Sequence, residues 1–114
     1  MSNEHRYAAA FHAQQSAEKA AKAFLVHHDL RPPRTHDLEE LSLLIKDIDP
    51  KLALKLKKLK NLTRIAAIYR YPDAERKSVS VATIKTAIKG ARAFYNVVAG
   101  HIIGKTALSK RLIP

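Results

Sequence analysis

A helical run that ends at two consecutive prolines constrains the fold of this chain more than any other stretch. Residues 11–25 carry apolar side chains and alanines at helical spacing, and Asn3 is a suitable N-cap for a helix that begins near it. Gln14 falls on the same inward stripe as Phe11 and Phe24. Because the residue before a proline avoids the helical region, this helix must end before Pro32.

The segment after the prolines predicts a second and a third helix, each with a capping residue. Thr35 or Asp37 can cap the second helix, and Glu40 follows Asp37 at capping-box spacing. Asp49 and Pro50 suit the N-cap and first position of the third helix, so the second helix ends there.

The remaining segments predict an all-α fold. The third helix is expected to run from Pro50 to about Arg70, and Ser78 or Ser80 can cap a fourth helix with an apolar stripe reaching Val98. No strand alternation or internal repeat competes with this pattern. We expect residues 1–114 to form one domain, an up-and-down four-helix bundle.

Charge is distributed unevenly along the chain. Residues 1–50 hold six Lys/Arg and eight Asp/Glu, whereas residues 51–114 hold fifteen Lys/Arg and only two acidic residues. The basic second part indicates either contact with an anionic partner, such as nucleic acid, a nucleotide or an acidic protein, or simply a solvated basic face.

Several classes of protein are disfavoured by composition. The chain has no cysteine, no apolar run of the roughly 20 residues that span a bilayer, and no secretory signal pattern, so we expect a cytoplasmic protein without membrane contact. The three glycines form no phosphate-binding loop. His27, His28 and His36 lie close in sequence, but adjacent helical residues point about 100° apart. Surface histidines, without metal or cofactor, are therefore expected.

Three segments carry a resemblance to a known family. They are FHAQQSAEKAAKAFL at residues 11–25, PPRTHDLEEL at residues 32–41 and RYPD at residues 70–73. Together and in this order they resemble the HEPN domain. The resemblance implies a bundle of four or five helices that commonly dimerises, binds nucleotides and works beside a minimal nucleotidyltransferase. It also implies that a helix usually precedes the first segment, so this chain would lack it and expose an apolar face.

Some members of this family are ribonuclease toxins of toxin–antitoxin pairs, with an Arg, four to six residues and a His on a late helix. Here Arg92 and His101 are separated by eight residues, too many for that motif. Arg31 and His36 have the spacing but straddle the prolines. No catalytic residue is therefore assigned, although ribonuclease chemistry would use an imidazole for proton transfer and a guanidinium on the phosphate.

The polar residues of the signature form the candidate nucleotide site. Lys22, Arg34 and Arg70 would receive phosphate, and His36 and Tyr71 would contact base or ribose. The six candidate residues are Lys22, Arg34, His36, Asp37, Arg70 and Tyr71. A purely structural interpretation is also available, since Asp37 can cap a helix and Lys22 can pair with Glu18 one turn earlier.

The residues and the resemblance together predict a non-catalytic HEPN module that forms a homodimer and binds nucleotide or RNA beside a nucleotidyltransferase. The alternatives are a toxin-like ribonuclease and a pure protein-interaction module.

Overall fold

The computed structural model describes the backbone of residues 3–70 and 80–112 and the side chains of residues 5–67 and 80–104. Within those ranges all regular secondary structure is helical and no strand occurs, which confirms the predicted all-α bundle. Its helices are α1 (Asn3–His27), α2 (Leu38–Lys46), α3 (Pro50–Lys57), α4 (Lys60–Arg70) and α5 (Val81–Leu112). Helix α1 packs against both α4 and α5, and α2 packs against α3.

Helix α1 ends as the prolines require. The amide of His28 donates to the carbonyl of Phe24 at 3.2 Å, and the amide of Leu30 donates back to Leu25 at 2.9 Å. Between them Asp29 has a φ of 60°, the left-handed conformation that commonly closes a helix C-terminus. The chain therefore leaves the helix before it reaches Pro32.

Asp37 caps the start of α2, and Thr35 supports this cap. Asp37 Oδ1 accepts the amide of Glu39 at 2.9 Å, and Thr35 Oγ1 accepts the amide of Asp37 at 3.1 Å. Glu40 does not complete the capping box on that amide, because its carboxylate instead accepts the Thr35 hydroxyl at 2.7 Å. Of the two residues that the sequence offered, Asp37 is the N-cap, and Thr35 holds the amide of Asp37.

The prediction of one continuous helix from Pro50 to Arg70 is wrong. Helix α3 ends at Lys57 and α4 begins at Lys60, with short-range bonds from Leu59 N to Leu56 O and from Leu62 N to Leu59 O, each 2.9 Å. Such three-residue bonds tighten the chain at a helix end. The break lets Leu59 pack against α5 while α4 turns onto α1.

The core lies where α1 meets the other helices. Alanines at the buried positions of α1 allow close helix approach, as the sequence indicated. The largest fully buried side chains are Phe24, Leu25, Leu38, Leu41, Ile45, Leu56, Leu62, Ile65, Ile84, Phe94 and Val98. The start of α5 is capped by Ser80, whose Oγ accepts the amide of Thr83 at 3.1 Å. None of the described helices combines the length and apolar character needed to cross a membrane.

Candidate functional site

A buried glutamine on α1 holds the connector between α1 and α2. Gln14 is 2% exposed, and its Nε2 donates to the carbonyl of His36 at 2.7 Å. Its Oε1 accepts the hydroxyl of Thr63 from α4 at 3.3 Å, and Thr63 Oγ1 accepts the amide of Leu38 at 3.5 Å. One side chain therefore joins α1, the connector, α4 and the first residue of α2.

One turn further along α1, a buried carboxylate binds two candidate residues. Glu18 is 6% exposed, and its Oε1 lies 2.8 Å from Nδ1 of His36. Its Oε2 lies 3.4 Å from Nζ of Lys22. Burial of a carboxylate is costly unless it is paired and hydrogen-bonded, and these two contacts supply that pairing. Gln14, Glu18 and Lys22 thus form a polar stripe, four residues apart, beneath the connector.

The structure brings some of the predicted site residues together and separates others. Lys22 and His36 meet at Glu18, whereas Asp37 is committed to the N-cap of α2. Arg34 is exposed, and among the described side chains no hydrogen bond or ion pair connects it to Glu18. The side chain of Arg70 and all of Tyr71 lie outside the described residues, so their predicted roles stay predictions.

Sequence reasoning missed the part played by Gln14 and Thr63. The sequence pattern puts Gln14 on an inward stripe and gives it no polar partner. A polar side chain at an inward position requires a buried partner, and this signal could have predicted the bonds to His36 and Thr63.

The geometry around His36 can also support proton transfer. Its side chain is 64% exposed, and its Nδ1 forms a hydrogen bond with Oε1 of Glu18. A carboxylate on one ring nitrogen fixes the orientation of an imidazole and leaves the other nitrogen for exchange with a substrate.

A second group of histidines lies where the C-terminal end of α1 packs beside α5. The ring centroids of His28 and His101 are 5.5 Å apart and stacked, and His27 is 5.3 Å from His28. The expectation of surface histidines is wrong for His27 and His28, which are half-buried because they pack beside α5. Within the described part of the chain, no group of three potential ligands could hold a metal ion.

Positive charge is concentrated on the later helices of the chain. Helices α3, α4 and α5 contain no acidic residue, and every Lys and Arg in residues 51–67 and 80–104 is exposed. These residues are Lys51, Lys55, Lys57, Lys58, Lys60, Arg64, Lys85, Lys89 and Arg92. We call this set the basic surface.

Fold and site together define a small helical-bundle domain with two polar features. One is the polar turn, formed by Gln14, Glu18, Lys22 and the connector of residues 28–37, and the other is the basic surface. Comparison with protein families shows that residues 1–102 match the HEPN domain. The chain therefore belongs to the HEPN domain family, which confirms the resemblance of its three signature segments. Comparisons with curated proteins and with solved structures give no match.

Proposed function

We propose that this protein is a non-catalytic module that binds nucleotides or RNA. The observation that carries the proposal is the basic surface: nine exposed cations on α3, α4, α5 and the α3–α4 junction, none of which contains an acidic residue. Such a surface attracts nucleic acid, because binding releases the counterions of the nucleic acid's phosphates. It also steers anionic ligands toward the protein over long range. The HEPN fold is consistent with this role.

The polar turn adds candidate contacts of a different kind. Lys22 and His36 are held in place by Glu18, and Arg34 is exposed two positions before His36 in the chain. In the proposal Lys22 and Arg34 receive phosphate, while His36 contacts base or ribose. Arg70 and Tyr71 complete this set on the strength of the family signature. Asp37 acts indirectly, because its carboxylate holds the N-terminus of α2.

A second candidate function is RNA cleavage, and the Glu18–His36 pair is the observation that favours it. A buried carboxylate on Nδ1 of an exposed imidazole is an arrangement suited to general acid–base catalysis. The binding role is preferred because nine exposed cations support it, whereas cleavage rests on this one pair.

Homodimerisation through the α1–α5 face forms part of the proposal. Tyr95 is 48% exposed and Ile103 is 66% exposed on this face, beside openings lined by α1 residues such as Ala13 and Ala23. Burial of such apolar area by a second chain stabilises a dimer. A nucleotidyltransferase partner is the alternative occupant of the same face.

Titration with ATP and with a short single-stranded RNA at two salt concentrations tests the binding role. We expect saturable binding that weakens about tenfold or more between about 50 and 200 mM salt, with the RNA intact afterwards. Cleaved RNA would favour the second candidate. Absence of binding to both ligands at low salt would refute the proposed function.

A further inference from the structure

A groove separate from the polar turn lies between the α3–α4 junction and the first half of α5. Its volume is about 560 Å³. Sites for small ligands commonly have volumes of about 300–1,000 Å³. The groove is therefore large enough for a compound the size of a mononucleotide.

The floor of the groove is apolar. Leu59 from the junction and Phe94 from α5 are both buried and form its base. Gly90 lies between them, and a Cβ at that position would stand 2.8 Å from Cδ2 of Leu59. The absence of a side chain at Gly90 therefore allows α5 to approach the junction closely and gives the floor its shape.

Polar side chains surround this floor. Lys55 and Lys58 line one wall, and no ion pair occupies either of them among the described residues. Asn61 and Thr86 also line the groove, and neither side chain has a hydrogen-bond partner in the described part of the chain. The hydroxyl of Thr83 already forms one hydrogen bond, to the hydroxyl of Ser80 at 2.7 Å.

We infer that this groove binds a phosphate-bearing nucleoside. Lys55 and Lys58 bind the phosphate, since two ammonium groups favour an anion and none of the described residues that line the groove is acidic. The base or ribose lies over the apolar floor, with Asn61 and Thr86 as hydrogen-bond partners. This inference deepens the proposed function and rests on it. The ligand is either a free mononucleotide or the phosphorylated end of an RNA.

Calorimetric titration with AMP compares two double variants of equal charge. Lys55→Gln with Lys58→Gln removes the cations of the groove, whereas Lys57→Gln with Lys60→Gln removes two exposed lysines that do not line it. We expect AMP affinity to fall at least about tenfold in the first variant and less than about threefold in the second. Equal losses of AMP affinity in both variants would overturn the inference that the groove binds the ligand, but would leave the proposed function standing.

A third variant tests the groove without changing charge. Ala93 is exposed and lines the groove, so Ala93→Leu fills part of its space. We expect this change to weaken AMP binding at least about fivefold while RNA binding at the remaining basic surface persists. Unchanged AMP affinity in Ala93→Leu would overturn the inference.

Two further probes assign the ligand more closely. Inorganic pyrophosphate should bind more weakly than AMP, and equal affinity would contradict a role for the apolar floor. Two short RNAs, with and without a 5′-phosphate, should differ in their response to the Lys55/Lys58 variant if the ligand is an RNA end. If both RNAs respond alike and AMP still responds, the ligand is the free mononucleotide.

Discussion

Nδ1 of His36 lies 2.8 Å from Oε1 of Glu18, whose side chain is only 7% exposed. The contact joins the connector to the middle of α1, eighteen positions earlier in the chain. Together with the ion pair between Lys22 and Glu18 at 3.4 Å, it keeps a buried carboxylate paired. The pair therefore stabilises the turn whether or not it also serves a ligand.

Removal of this carboxylate should destabilise the bundle. Glu18→Ala leaves His36 Nδ1 and Lys22 without their shared partner and opens a small cavity beneath the connector. We expect the free energy of unfolding to fall by about 2–3 kcal/mol, measured by urea denaturation. Glu39→Ala, at an exposed position on α2, is the control and should change it by less than about 0.5 kcal/mol. Equal stability of Glu18→Ala and wild type would contradict the bracing role.

The amide of Gln14 should matter for a related reason. Gln14→Leu keeps the approximate size of the side chain but leaves the carbonyl of His36 without its donor. We expect a loss of about 1–3 kcal/mol in unfolding free energy, because an unsatisfied buried polar group carries its full desolvation cost. The same substitution at the neighbouring Gln15 serves as the control in thermal unfolding. A larger loss at Gln15 than at Gln14 would refute the network as drawn.

His36 separates the two candidate functions. In a binding module, His36→Ala should weaken RNA binding by no more than about tenfold, with no cleavage before or after the change. In a ribonuclease, the same variant should reduce cleavage about a hundredfold or more while binding persists. Gel analysis of end-labelled RNA distinguishes these outcomes. His12→Ala is a useful control, since His12 is exposed on α1 away from the turn.

Local signals in the sequence account for most of the fold. Pro32 and the caps at Asp37, Asp49 and Ser80 act within a few residues, so the helix ends that they govern could be predicted. The break at Leu59 could not, because it depends on where α5 lies. No proline or glycine marks that position in the sequence.

The candidate site was less predictable for the same physical reason. Glu18 and Lys22 are one helical turn apart, so their contact follows from local geometry. The bond from Thr63 to Gln14 crosses forty-nine positions and requires α4 to pack on α1. The groove between Lys58 and Thr86 likewise depends on tertiary packing that spacing alone does not specify.

Two glycines of α5 should respond differently to the same substitution. A Cβ at Gly100 meets no atom within 4 Å, so Gly100→Ala should stabilise the protein by about 0.5–1 kcal/mol through helix propensity. At Gly90 the new Cβ would meet Leu59 Cδ2 at 2.8 Å, so the Leu59 side chain must shift. Gly90→Ala should therefore gain less stability than Gly100→Ala, or lose some, in thermal unfolding. An equal gain at both positions would contradict the close packing of α5 on Leu59.

The proposed dimer can be tested by a charge on the α1–α5 face. Tyr95 lines openings between these helices and is 48% exposed, so Tyr95→Asp should weaken a dimer about tenfold or more by placing a carboxylate in the buried interface. Val97→Asp is the matched control, because Val97 is 43% exposed on the same helix but lines neither opening. Sedimentation equilibrium over a range of protein concentrations measures both variants. A wild-type chain that is monomeric throughout this range would refute the dimer, and equal weakening by both variants would place its interface elsewhere on α5.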